Sequence, residues 1–184
     1  MPMQTFLIIL AGIILLYLIV TYNILIRLRN EVKNAWSQID VQLKRRHDLI
    51  PNLVETAKGY MKHERETLVQ VTAARDAAAR SAGIAEGIPL ENRLNHAMYD
   101  FFAVAEDYPE LRADETFLLL QEELASTEDK IAFARQSYND QVLFYNNKIQ
   151  MFPSNIAARI FGFLSWDLFK LDSEEERENV KIRM

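Results

Sequence analysis

The sequence contains no cysteine, and it has only five glycines and five prolines among its 184 residues. Without cysteine there can be no disulfide, no thiolate metal site and no lipid attached to a cysteine side chain. The scarcity of glycine and proline leaves few turn signals, and strand-like alternation is rare. Apolar residues make up 49 % and charged residues 26 %, a balance typical of amphipathic helices around a core. We therefore predict an all-α fold, and no cofactor is expected.

Charge is absent from residues 5–26, TFLIILAGIILLYLIVTYNILI. At about 1.5 Å per residue, this run is roughly as long as the hydrocarbon core of a bilayer is thick. No lysine or arginine precedes it and no small-x-small cleavage site follows, so we predict a retained transmembrane helix rather than a cleaved signal peptide. A helix of a soluble bundle would show polar positions in every turn, and none occurs here between Phe6 and Val20, which argues against a core helix.

Basic residues lie on one side of this run only. The positive-inside bias therefore predicts that the N-terminus lies outside and that the rest of the chain lies in the cytoplasm, at the inner membrane of a bacterium. Tyr22 lies near the cytoplasmic edge, where an aromatic ring with a polar tip is favoured. The predicted membrane-surface residues are Tyr22, Arg27, Arg29 and Lys33.

Helical periodicity continues beyond the run. Apolar residues recur at intervals of three and four as far as Pro51 and resume directly after it. We predict one helical arm from the membrane to about Ser81, bent at Pro51, with a true break at Pro51 as the alternative. A turn is expected over residues 81–89, and a short helix over residues 90–105.

The last long helix has the strongest pattern in the chain. From Phe117 to Phe152, apolar residues are separated by threes and fours over about five heptads. The aromatic segment that follows, PSNIAARIFGFLSWDLFKL, either packs on the bundle or lies at a membrane surface or subunit contact.

These patterns predict one N-terminal transmembrane helix that continues into a cytoplasmic antiparallel bundle of long helices. The expected organisation is a short extracytoplasmic N-terminus (1–4), a transmembrane helix (5–26), the bundle (27–169) and an acidic, mobile tail (170–184). The net charge of −5 argues against a nucleic-acid binder.

Catalytic motifs are missing from the sequence. There is no Gly-rich phosphate loop, no nucleophile elbow, and no Glu-x-x-His pair of the kind found in di-iron bundles. His63, Glu64 and Glu66 are the least implausible metal ligands, but a zinc or iron site requires three or more convergent groups. We expect the three histidines to face solvent, and we expect neither a metal nor an enzymatic activity.

Two long blocks resemble the LemA family of bacterial membrane proteins: residues 22–75, which include RNEVKNAWSQIDVQLKRRHDLIPNLV, and residues 138–163, which include MFPSNIAARIFGF. With the apolar run and the middle helices, the resemblance covers nearly the whole chain. It implies an N-terminal span, a cytoplasmic helical domain and no established enzymatic activity.

Many residues of the first block are polar, and a solvated face does not need a particular pattern of polar residues. We therefore infer that this face contacts other helices of the chain or another copy of it. The candidate helix-contact residues are Trp36, Ile39, Leu43, Arg45, Arg46, Asp48, Pro51, Ile131, Tyr138, Tyr145, Ile149 and Phe152.

The function expected from these features is a non-enzymatic, membrane-anchored scaffold that self-associates laterally and organises or remodels the membrane. Its partners would be the lipid bilayer and further copies of the chain. The alternatives are an adaptor for a membrane protease, transporter or signalling complex and, with less support, a metal-dependent enzyme. The sequence identifies no other protein partner.

Overall fold

A computed structural model describes residues 2–81 and 84–169 of the chain, so the predicted acidic tail lies outside the described residues. The described part is helical and contains no strand, which confirms the all-α prediction. Its helices are α1 (Pro2–Lys58), α2 (Arg65–Ala79), α3 (Ile84–Ala105), α4 (Pro109–Arg112), α5 (Glu115–Gln150) and α6 (Ser154–Ile160).

Helix α1 runs from the apolar N-terminal stretch through Pro51 without a break. It does not reach Ser81, so the prediction of a single arm is wrong. The helix ends at Lys58, where the backbone amides of Tyr60 and Met61 both bond to the carbonyl of Ala57. The chain then turns back into α2. The apolar stripe continues across this turn because α1 and α2 bury their stripes in the same core.

Helix α3 begins at Ile84, so the turn predicted over residues 81–89 is wrong for residues 84–89. Pro89 lies inside the helix, where a proline removes only one backbone hydrogen bond. The apolar face beyond Pro89 supplies Leu94 and Phe101 to the core, and their burial favours helix despite the proline.

Helix α5 agrees with the predicted last long helix. Asp114 precedes it, and its carboxylate accepts a hydrogen bond from the backbone amide of Phe117 at 2.9 Å. After α6, Gly162 has a φ of 68°, a left-handed conformation that glycine adopts without strain. This residue turns the chain into a non-helical segment, residues 163–169, which we call the return segment.

The described residues divide into two compact units. The anchor unit comprises residues 2–39 and 133–169, and the core unit comprises residues 40–81 and 84–132. In the core unit, α2 packs against α3, and a cluster of apolar side chains from Ile50 to Leu124 forms the interior. In the anchor unit, the ring of Trp36 meets that of Tyr138 at 5.6 Å.

Candidate functional site

A buried charge cluster lies in the core unit. Arg46 on α1 is only 2 % exposed, and its guanidinium donates to the carboxylates of Glu91 and Glu128 and to the side-chain oxygen of Asn95. Glu91 is 4 % exposed and also lies 2.9 Å from the ring nitrogen Nε2 of His47. The cluster therefore joins α1, α3 and α5, with Arg46 and Glu91 removed from water and Glu128 about half exposed.

His47 is held in this cluster as a neutral imidazole. Burial lowers its pKa to about 4, and the positive charges of Arg46 and Arg75 act in the same direction while Asp48 opposes them. Arg75, on α2, donates to the backbone carbonyl of His47 at 2.8 Å. The prediction of three solvent-facing histidines is therefore wrong for His47, although His63 and His96 are exposed.

A strongly shifted pKa often marks a catalytic group, but structural ion networks produce the same shift. Arg46 and Glu91 are enclosed and bond each other, so the pair links α1 to α3 inside the core unit. Within residues 2–81 and 84–169, no three His, Asp or Glu side chains are grouped to hold a metal ion. Glu64 of the metal alternative instead accepts a hydrogen bond from the hydroxyl of Tyr108.

An open groove of about 640 Å³ lies between the end of α1 and α2 in the core unit. Val54, Leu68 and Val69 form apolar walls, and Lys58 and Arg65 are among its basic residues. The charge cluster does not line this groove. The basic residues of the groove, Lys58 and Arg65 among them, are exposed to water. Because solvated charges are not held in a fixed, water-free geometry, they do not form a preorganised catalytic site.

A second polar arrangement lies in the anchor unit, between α5 and the return segment. The side-chain amide of Asn146 accepts from the backbone nitrogen of Trp166 at 3.0 Å and donates to its carbonyl at 2.8 Å. Asn139 makes the same pair of bonds with Phe169, at 2.7 and 3.1 Å. Each asparagine side chain therefore makes, with one residue of the return segment, the same two hydrogen bonds that the backbone of a neighbouring β-strand would make.

Two tyrosines complete this arrangement, which we call the Tyr-Asn clamp. The hydroxyls of Tyr145 and Tyr138 donate to the carbonyls of Leu164 and Asp167 at 2.9 and 3.0 Å. Burial raises the pKa of both hydroxyls, so they remain protonated donors. The sequence repeats Tyr-Asn at an interval of seven residues, about 10 Å along a helix.

Three residues of extended chain also span about 10 Å, which is the separation of Trp166 and Phe169. The helix and the segment therefore match in spacing. This packing agrees with the first of the two alternatives for the aromatic C-terminal segment. The sequence reasoning missed Asn139 and Asn146, although the heptad repeat of Tyr-Asn was a visible signal.

The predicted membrane-surface residues differ in their surroundings. Arg27 and Lys33 are exposed, and Arg27 lies 3.8 Å from Glu31. Arg29 is half-buried, with its guanidinium 5.6 Å from the centre of the Phe163 ring. The ring of Tyr22 packs edge-on against those of Phe161 and Phe163, with centroids 4.9 and 5.8 Å away.

The candidate helix-contact residues divide by burial. Buried side chains are those of Ile39, Arg46, Ile131, Tyr138 and Tyr145. Trp36, Leu43 and Ile149 are half-buried, whereas Arg45, Asp48, Pro51 and Phe152 are exposed. The structure therefore separates neighbours in the sequence: Arg46 belongs to the buried cluster, and Arg45 makes only an exposed ion pair with Glu123 at 3.1 Å.

These features define a class of protein: a membrane-associated helical protein with a long apolar N-terminal helix followed by further helices. The model of the LemA family matches residues 35–184, and the chain belongs to the LemA family. The resemblance stated from the two sequence blocks is thereby confirmed.

Sequence similarity to individual proteins agrees with this family membership. The chain is 28 % identical over 159 residues to the protein LemA of Metamycoplasma hominis, across 86 % of this chain and 72 % of that protein. It is 22 % identical over 182 residues to the magnetosome protein MamQ 2 of Paramagnetospirillum magneticum, across 83 % of this chain and 66 % of that protein. A similar match, 23 % identical over 181 residues, is to the magnetosome protein MamQ of Magnetospirillum gryphiswaldense. None of these names describes an enzyme.

Proposed function

We propose that the protein is a non-enzymatic, membrane-anchored helical scaffold whose copies associate laterally and organise the membrane that holds them. The anchor is residues 5–26, the N-terminus lies outside the bacterial inner membrane, and residues 27–169 form the cytoplasmic part. The observation that carries the proposal is the exposed apolar surface of α1. Large apolar side chains between Phe6 and Val20 are exposed, and none of the most apolar stretch is buried within the protein.

Such a surface requires an apolar environment, and a helix of this length provides it by spanning a bilayer. Because α1 continues without a break to Lys58, its first cytoplasmic turns are fixed to the span. Confinement to a plane raises the effective concentration of the cytoplasmic parts, so modest contacts between copies suffice for association.

One face of α5 supports a contact between copies. Phe133 and Phe144 are 71 % and 59 % exposed, and their spacing of eleven residues places them on the same line along the helix, three turns apart. Leu143 is 52 % exposed but lies about 100° around the helix from Phe144. Leu143 therefore provides a matched control at nearly the same position along the axis of α5 but on a different face.

The test measures association in detergent and in vesicles. Full-length protein should show a mass that is a multiple of 21.4 kDa by light scattering, and energy transfer between labelled copies in vesicles. Phe133→Glu combined with Phe144→Glu should reduce both signals, whereas Leu143→Glu should not. A strictly monomeric protein at micromolar concentration, without energy transfer in vesicles, would contradict the scaffold. Equal loss in the Leu143 variant would contradict the assigned face.

A further inference from the structure

A group of large apolar side chains is exposed where α5 turns into α6. Phe152 is 79 % exposed, and Met151, Ile156 and Ile160 are also exposed. Together with Phe161 these residues form a surface that we call the tip. The tip lies in the anchor unit, and its side chains are too exposed to contribute to a core.

The position of the tip along α1 follows from contacts within the anchor unit. Trp36 packs against Tyr138, and the charge of Arg29, seven residues nearer the N-terminus, acts on Tyr145, seven residues further along α5. The two helices are therefore antiparallel in a constant register. Extended by seven more residues, the same register places Phe152, two residues beyond the end of α5, near the level of Tyr22.

Direct contacts agree with this register. Tyr22 touches the rings of Phe161 and Phe163, which follow α6 in the chain. Thr21 and Leu25 on the same part of α1 are buried, at 3 % and 0 % exposure. The tip therefore lies beside the last turns of the apolar run of residues 5–26, which is the level at which the anchor would leave the hydrocarbon.

Charge around the tip fits an anionic membrane surface. Residues 141–166 contain no aspartate or glutamate, and their basic residues are Lys148 and Arg159. Arg159 is exposed on α6. Basic side chains beside exposed large apolar ones are typical of segments that lie in the interface between headgroups and acyl chains.

We propose that the tip inserts into the cytoplasmic leaflet of the membrane and forms a second, non-spanning membrane contact beside the anchor. This inference rests on the anchor of the proposed function, since the level of the tip is measured against that helix. We assign lipid as the partner of the tip, because the apolar surface of the tip is continuous with that of α1. Each copy would then occupy more area in one leaflet than in the other.

Because the chain has no cysteine, single-cysteine variants allow a direct test. Full-length Phe152→Cys, Leu16→Cys and Gln136→Cys, each with a nitroxide label, are placed in vesicles of phosphatidylcholine and phosphatidylglycerol. Collisions with oxygen report an apolar environment, and collisions with a water-soluble nickel complex report water. Gln136 is exposed on α5, sixteen residues or about 24 Å from Phe152.

The label at Phe152 should resemble that at Leu16, with a nickel collision rate several-fold below that at Gln136. If Phe152 instead resembles Gln136 while Leu16 remains in hydrocarbon, the tip proposal is wrong and the anchor stands. If Leu16 also resembles Gln136, the anchor itself is wrong. An apolar signal at Phe152 that disappears when the protein is diluted in lipid would assign the tip to contact between copies and overturn the lipid assignment.

Discussion

The buried charge cluster predicts a large loss of stability for Arg46→Met. Methionine preserves most of the side-chain volume but removes the guanidinium that bonds Glu91, Glu128 and Asn95. Glu128 is about half exposed and can return to water, whereas the side chain of Glu91 is only 5 % exposed and would remain buried with no positive charge bonded to it, only the neutral His47 ring. Breaking a buried ion pair in this way costs about 3–5 kcal/mol.

Hydrogen exchange of α3, which carries Glu91, measures this loss locally in the full-length protein in detergent. A cost of about 3–5 kcal/mol corresponds to exchange that is faster by roughly two to three and a half orders of magnitude. Arg45→Met provides the matched control, because Arg45 and Glu123 are each 50 % exposed. Exposed pairs contribute about 0–1 kcal/mol, so exchange should rise no more than about fivefold.

The double variant Arg46→Met with Glu91→Leu tests the reason for the loss. It leaves no unpaired buried carboxylate, so it should recover most of the stability lost in the single variant. The reasoning is refuted if Arg45→Met and Arg46→Met accelerate exchange equally, or if the double variant is no more stable than Arg46→Met alone.

The other predictions concern His47 and the Tyr-Asn clamp. The pKa of His47 is about 4 in the folded state and about 6.5 in the unfolded state, so the unfolded chain binds more protons between these pH values. The free energy of unfolding should therefore be undiminished above pH 6.5 and should fall by up to about 3 kcal/mol on acidification to pH 4. The His47→Gln variant should show a shallower dependence on pH. Asn139→Ala and Asn146→Ala should each release part of the return segment, because each substitution removes two hydrogen bonds to its backbone. The release should change the fluorescence of Trp166. Asn147 is exposed, so Asn147→Ala should leave the segment and the fluorescence unchanged. A flat stability profile for the native chain between pH 6.5 and 4, or equal effects of all three asparagine variants, would contradict these predictions.

The long helices could be predicted because their signal is local. Uninterrupted apolar character determines the first part of α1, and spacings of three and four residues determine α5. The turn after Lys58 was missed for a physical reason. Two helices that fold back on one core both direct an apolar stripe toward it, so the stripe alone does not reveal the break. Gly59 was the remaining local signal there.

The polar sites could be predicted only in outline. Arg45 and Arg46 are chemically identical neighbours, and the difference between them arises from Glu91 and Asn95, which are more than forty residues away in the sequence. The clamp shows another limit. The helical half of the clamp is visible as a repeated Tyr-Asn, but its partner is backbone, which has no side-chain signature.

Both polar sites, the charge cluster and the Tyr-Asn clamp, are consistent with a scaffold because their polar groups form hydrogen bonds within the protein itself. The guanidinium of Arg46 bonds three side chains of its own unit, and the amides of Asn139 and Asn146 bond the backbone of the return segment. Groups paired in this way are not available to bind or activate a substrate without breaking the packing that they support. The anchor unit instead exposes apolar surface on α1, at the tip and along one face of α5. Apolar surfaces bind lipid or other apolar surfaces without requiring a catalytic group, so the functional residues of this protein are to be sought on its exterior.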